Sequence, residues 1–259
     1  RRAWLAAFGA ALLTHPLLDA MTIYGTQLLW PFDRTPYGVG SIFIIDPLYT
    51  LPLLAAVVVV LMRPSAPATR RILRGALLVS TAYLGWSVLA QQWVLERARA
   101  ELARQAQPAS EILALPSAFN TLLWRVLVRE PDAYREAYDS LLVDTGPGPW
   151  RRFRSADDQR GAVSSHGPYQ QLAHFTHGYY GLREEAGALI LSDLRMGSEP
   201  AYVFAFVLAR RDADGHWQPV VPEQLPSIRP VGAAVRWLGQ RMFQPGSELP
   251  PPDAVLGAP

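Results

Sequence analysis

The chain has 259 residues, a formal net charge of +2, a pI near 9.0 and a mean hydropathy of +0.07. With no Cys, disulfides and thiolate metal sites are excluded, leaving His and carboxylate as the protein ligands open to a metal. All 24 basic residues are Arg; they flank apolar stretches rather than forming a basic stripe, which argues against a nucleic-acid partner.

The charge is unevenly spread. Residues 1–95 hold seven Arg and three Asp, and their only histidine is His15. Their carboxylates are Asp19, Asp33 and Asp46, with no Glu before Glu96. Ionisable groups in so apolar a setting are functional candidates, because burying them without a partner costs several kcal/mol. The chain begins at Arg1 rather than Met, so an upstream segment is expected; no cleavable signal peptide is visible.

Trp4–Leu18 reads as an apolar helix behind Arg1 and Arg2, extending toward Thr22 if it is to span. Thr22–Gly40 is irregular, with Gly, Pro and the aromatics Tyr24, Trp30, Phe32 and Tyr37 suited to a membrane–water boundary. Ser41–Met62 gives about 33 Å of apolar helix at about 1.5 Å per residue, matching a hydrocarbon core of about 30 Å. Ile72–Leu95 reads as a further span. The arginines of the 63–74 loop predict that this loop is cytoplasmic and that the later domain faces the periplasm; Arg97, Arg99 and Arg104 weigh the other way.

The expected architecture is an α+β membrane protein. Three N-terminal membrane helices (1–95) lead through a helical linker (96–107) to a β-rich extramembrane domain (108–244), followed by a disordered Pro-rich tail (245–259). Strands are expected at Leu122–Arg129, Tyr134–Val143, Trp150–Arg154, Ala188–Asp193 and Tyr202–Arg210, separated by turn signals. Apolar residues at 231, 234, 235, 238 and 242 predict an amphipathic helix over Val231–Phe243.

His15 and Asp19 are i and i+4 on one helical face. The pair can bring an imidazole and a carboxylate to one metal, or be a hydrogen-bonded packing pair, and Pro16 can kink the helix there. Asp46 is either a third ligand inside a membrane helix or, with Pro47, the N-cap of a helix that starts later and runs only about 24 Å. Asp33, beside Arg34, ranks below it. Thr22, Tyr24 and Thr26 are either substrate contacts or local loop partners. His174 and His177 lie on opposite faces if they are in a strand, which disfavours a metal site there with His166. Asp193 and Arg195 read most simply as an ion pair.

THPLLDAMTIYGTQLLWPF followed by IDPLYTLPLL resembles the YdjM/YbcI-type family of bacterial inner-membrane, metal-dependent hydrolases. FNTLLWRVL and DLRMG resemble the soluble extension of its longer members. The resemblance implies a bacterial, multi-pass inner-membrane protein and metal-assisted hydrolysis; by location alone, the partners are the lipid bilayer and a lipid or envelope-derived ester or phosphoester. By motif it carries over His15, Asp19 and Asp46 as ligands of a divalent metal, Zn or Mn, with Asp19 and Asp46 as catalytic carboxylates. Family members also have an upstream His-Arg-Gly…Thr-His-Ser element that this sequence does not contain. The alternative is a non-enzymatic membrane protein whose β-rich domain binds a partner and whose polar membrane residues serve helix packing.

Overall fold

The computed structural model describes residues 1–64, 66–107, 111–226 and 231–256. It divides into two compact units. One comprises residues 1–97 with 114–125, the other residues 98–113 with 126–259. The residue at which the β-rich domain was expected to begin, Pro108, and the last three of the tail lie outside the described residues.

Residues 1–104 hold three helices. Helix α1 spans Arg2–Asp19, α2 Pro47–Met62 and α3 Thr69–Arg104. The expectation of three membrane helices is overturned: among the described residues only α3 is both long and apolar enough to cross a membrane. Helix α1 carries Arg2, His15 and Asp19 within its 18 residues, and these polar groups dilute its apolar run. Helix α2 is apolar but has only 16 residues, because Asp46 caps it and Pro47 sets its first turn. The expected Ser41–Met62 span is therefore shortened at its start. Helix α3 instead runs on through the predicted linker as one 36-residue helix, about 54 Å at about 1.5 Å per residue.

Pro16 neither breaks nor ends α1. A proline there forgoes only its own backbone bond, and the helix stops three residues later, at Asp19. The following loop closes on itself. Thr26 and Tyr37 exchange backbone hydrogen bonds at 3.1 and 2.9 Å, and Val39, Gly40 and Ser41 donate to the carbonyls of Ala20, Thr22 and Met21. Two backbones touch at this closure. A Cβ on Gly25, whose φ is +62°, would stand 1.9 Å from Tyr37 O, and one on Gly38 would stand 2.7 Å from Ile23 O.

The second half of the chain is β-rich, as expected. Strands β1 (Ile112–Pro116), β2 (Leu123–Arg129), β3 (Ala133–Ser140) and β4 (Arg151–Arg154) form a sheet in sequence order. After a 3-10 turn (Asp157–Ala162) and α4 (Gly167–Phe175) come β5 (Tyr180–Glu185), β6 (Ala188–Asp193), the short pair β7 (Gly197–Ser198) and β8 (Ala201–Tyr202), β9 (Ala205–Arg211) and β10 (Trp217–Gln224). The second sheet has the order β10-β9-β6-β5, antiparallel throughout. Central strand β6 is buried along its whole length. Leu189 and Leu191 pack with Tyr169 of α4 and Leu182, while Ala188 and Ile190 pack with Ala205 and Val207 on the other face.

The amphipathic helix forms over Val231–Phe243 as read, and is α5. Buried Arg241 ties it to β3, donating to Tyr138 O at 2.9 Å and pairing with Asp144 at 2.5 Å. The Pro-rich end, expected to be disordered, forms a 3-10 turn at Gly246–Glu248 and a short helix α6 at Pro252–Leu256. It is held because Trp237 Nε1 donates to Pro250 O at 2.7 Å and Arg151 pairs with Asp253.

Candidate functional site

Of the three predicted site residues, two are side by side and the third is committed elsewhere. His15 Nε2 lies 3.4 Å from Asp19 Oδ2 on the last turn of α1, with the side chains 76% and 43% exposed. No residue of α1 is buried, so the pair is open to whatever surrounds the helix. Two donors each about 2.1 Å from a tetrahedral ion stand about 3.4 Å apart, so the pair fits as half of a nitrogen–oxygen ligand set.

Asp46 is 2% exposed. Its Oδ1 accepts from Leu48 N at 2.9 Å, the N-cap contact of α2, and its Oδ2 accepts from the Tyr83 hydroxyl at 2.8 Å. Behind Tyr83 the chain of hydrogen bonds continues: Thr121 Oγ1 donates to the Tyr83 hydroxyl at 3.0 Å, and Trp86 Nε1 donates to Thr121 Oγ1 at 3.1 Å. Both carboxylate oxygens of Asp46 thus already accept a bond, which fits a cap and packing anchor better than a metal ligand.

Tyr83 belongs to a polar stripe on α3 made by Ser80, Tyr83, Ser87 and Gln91. Ser80 donates to Tyr49 O at 2.8 Å and Ser87 to Ser41 Oγ at 3.0 Å. Gln91 Nε2 donates to the carbonyls of Val39, Gly40 and Ala114 at 2.9–3.0 Å. These bonds reach the backbone of α2 and β1, the carbonyls of Val39 and Gly40, and the Ser41 hydroxyl in the loop before α2. The signal was present in the sequence as polar residues three and four apart along an apolar helix. Its meaning depended on partners that lie far away along the chain.

The other candidates fall to local structure. Asp33 accepts from Thr35 N and the Tyr37 hydroxyl, at 2.8 and 2.7 Å, and the bond from Tyr37 holds that phenol above its ordinary value. Thr22 Oγ1 donates to Asp19 O at 2.7 Å, and Thr26 is held by its backbone pairing with Tyr37. His174 lies in a helix, not a strand: His166 is at the N-terminal boundary of α4 without a side-chain cap bond, His174 is in its last turn, and His177 follows at φ +52° with its ring 6.4 Å from that of His174. Asp193 and Arg195 form a buried bidentate pair at 3.0 and 2.8 Å, as the simplest reading had it.

Among the described residues, one group of three His or carboxylate side chains gathers its donor atoms within 4.8 Å, and it is Asp212, Asp214 and His216 in the β9–β10 turn. There Asp212 Oδ1 accepts from the backbone N–H of Asp214 and His216 at 3.0 and 2.8 Å, and Oδ2 from Gln218 at 3.0 Å. The group is a carboxylate-stabilised hairpin turn.

Apolar helices, a loop rich in aromatics and a capping carboxylate buried among them make up a helical module with one helix long and apolar enough to cross a membrane among the described residues. Residues 1–94 match the YdjM inner membrane protein family, which bears out the resemblance over that region. The match stops before FNTLLWRVL and DLRMG, so the β-rich region lies beyond it. No curated protein and no solved structure matches the chain.

Proposed function

We propose that this chain is an inner-membrane hydrolase that uses a divalent metal, Zn or Mn, at a centre to which His15 and Asp19 contribute. Its substrate class is an ester or phosphoester at the membrane surface. The observation that carries the reading is the 3.4 Å approach of His15 Nε2 to Asp19 Oδ2 on an uncovered face of α1. A bound divalent ion supplies an acidified water and polarises the scissile bond. His15 offers a neutral ring nitrogen, and Asp19 either shares the ion or orients the imidazole and later accepts a proton. Asp46 holds the start of α2 and the Tyr83 hydroxyl in place. The arginines at 63, 70, 71 and 74 before the α3 core, against those at 97, 99 and 104 after it, favour a periplasmic position for the β-rich region.

A second reading has its own observation. With Asp46 engaged by Leu48 N and Tyr83, the buried polar groups of the membrane module serve packing, and the β-rich region does the work by binding a partner. Elemental analysis of the purified full chain separates the two. Stoichiometric Zn or Mn, lost in both His15→Ala and Asp19→Ala while the helical circular dichroism is kept, supports the hydrolase. Metal-free protein that gains none on dialysis against Zn or Mn supports the binding protein. A reporter fused after Gln244 that is active only in the cytoplasm would overturn the periplasmic assignment.

A further inference from the structure

We propose that the groove between β3 and α5 is a recognition site for a proline-rich segment of another protein, one in which an acidic residue follows the prolines. The chain's own end occupies this groove as a tethered placeholder.

The groove is built from two aromatic rings. Tyr138 of β3 and Trp237 of α5 meet edge to face, with centroids 4.9 Å apart at 71°. Both rings are buried. The segment Leu249-Pro250-Pro251-Pro252 lies against them; Leu249 is extended at φ −113° and ψ 146°, while Pro252 begins α6 and Pro251 O accepts from Ala254 N at 3.1 Å. Trp237 Nε1 donates to Pro250 O at 2.7 Å.

Proline runs are recognised by this chemistry. Their φ is fixed in advance, so little conformational entropy is lost on docking. Their carbonyls remain free to accept, and their rings pack on aromatic faces. An indole N–H aimed at a proline carbonyl beside a second aromatic ring supplies both contacts. Selectivity comes from the end of the groove, where Arg151 of β4 pairs with Asp253, the residue after the third proline.

The self-segment fills the groove incompletely. A cavity of about 200 Å³ remains between Tyr138, Trp237, Leu249 and the three prolines, and Pro250 and Pro251 are exposed on their outer side. Vacant volume beside the prolines marks a loosely fitting ligand, held by tethering that raises its effective concentration. A better-fitting segment in trans displaces it.

The test uses the full chain in detergent and a fluorescent peptide copying residues 247–255, read by anisotropy. Binding is expected to be weak in the full chain and at least tenfold tighter after deletion of residues 245–259. In that deleted form Trp237→Phe, which keeps the ring and removes the N–H, should weaken binding about tenfold. A control peptide with the three prolines replaced by Ala should not bind. Should the deletion fail to fold, Asp253→Ala in the full chain releases the tail without shortening it and must also tighten peptide binding. No tightening in a folded variant, or equal binding of the Ala peptide, overturns the proposal. So does a dimer that becomes monomeric on deletion, which would make the groove an exchange surface between copies.

Discussion

The Tyr83 hydroxyl donates to Asp46 Oδ2 at 2.8 Å across 37 residues of sequence, so the residue that starts α2 is anchored to the middle of α3. Asp46 therefore performs two tasks with two oxygens, and substitutions separate them. Asp46→Asn keeps one oxygen, enough for the Leu48 cap, but turns an amide NH2 toward the Tyr83 hydroxyl, so it should keep the cap and lose the Tyr83 bond, at a cost of about 0.5–1.5 kcal/mol. Asp46→Ala removes both, losing about 0.5–2 kcal/mol from the cap and about 1–3 kcal/mol for the stranded Tyr83 hydroxyl. Denaturation in mild detergent followed by circular dichroism measures both. An Asn variant as damaged as the Ala variant would show that the charge itself matters.

Thr121 sits between Trp86 and Tyr83, accepting from the first and donating to the second. Thr121→Val keeps the shape and removes its bonds to the part-exposed Trp86 and to Tyr83, at a cost of about 0.5–1.5 kcal/mol per bond. The Trp86 contribution to fluorescence should shift as well. The same substitution combined with Tyr83→Phe should cost less than the sum of the two alone, because they share one chain of bonds.

Much of the architecture was legible because it is local. The apolar period of Val231–Phe243 and the unbroken ALIL of β6 each fixed an element whose burial depends only on its own residues. The strands that escaped notice are at sheet edges. β5 ends in Arg-Glu-Glu, and β10 contains Pro219 and Pro222 and slips register between Pro219 and Glu223. An edge strand needs neither two buried faces nor every ladder bond, so its sequence carries a weak signal. For the candidate site, the HxxxD spacing announced the His15–Asp19 contact, since four residues make nearly one helical turn. The fate of Asp46 depended on Tyr83 and Thr121, and no local pattern points to partners so far along the chain. The over-count of membrane spans has the same source: apolar composition was visible, but the cap that shortens α2 was only one of two ways to read Asp-Pro.

Asp193 and Arg195 are both buried, and Arg195 also lies over the Phe175 ring at 4.8 Å. Asp193→Ala leaves a buried guanidinium without its carboxylate and should destabilise the β-rich region by about 3–5 kcal/mol. Chemical denaturation followed by near-ultraviolet circular dichroism would register it. A change below about 1 kcal/mol would mean that water or another acid replaces the lost partner.

The β9–β10 hairpin should loosen in acid. The bond from Arg211 holds the Glu184 carboxyl below its ordinary value, and those from Gln218 and the His216 N–H do the same for Asp212. A depressed carboxyl contributes stability that is present above its unfolded pKa and is lost as pH falls through its folded pKa. Protection should therefore be complete at neutral pH and vanish below the usual carboxylate range. Hydrogen exchange at the Asp214 and His216 amides, which donate to Asp212, reports it. Exchange that shows no acid-induced loss of protection would assign the turn's order to its backbone alone.

Gly25 and Gly38 leave no clearance between two strands of one loop. In a library carrying every amino acid at every position, most sites of this apolar module would accept some neighbour in chemical space. These two should return glycine alone, since even the single carbon of alanine must occupy a space already held by a carbonyl oxygen. Codon changes there would persist only when silent. The pair would stand out as two blank columns in a region where hydrophobic residues otherwise interchange freely, and their loss would be felt as protein that never accumulates.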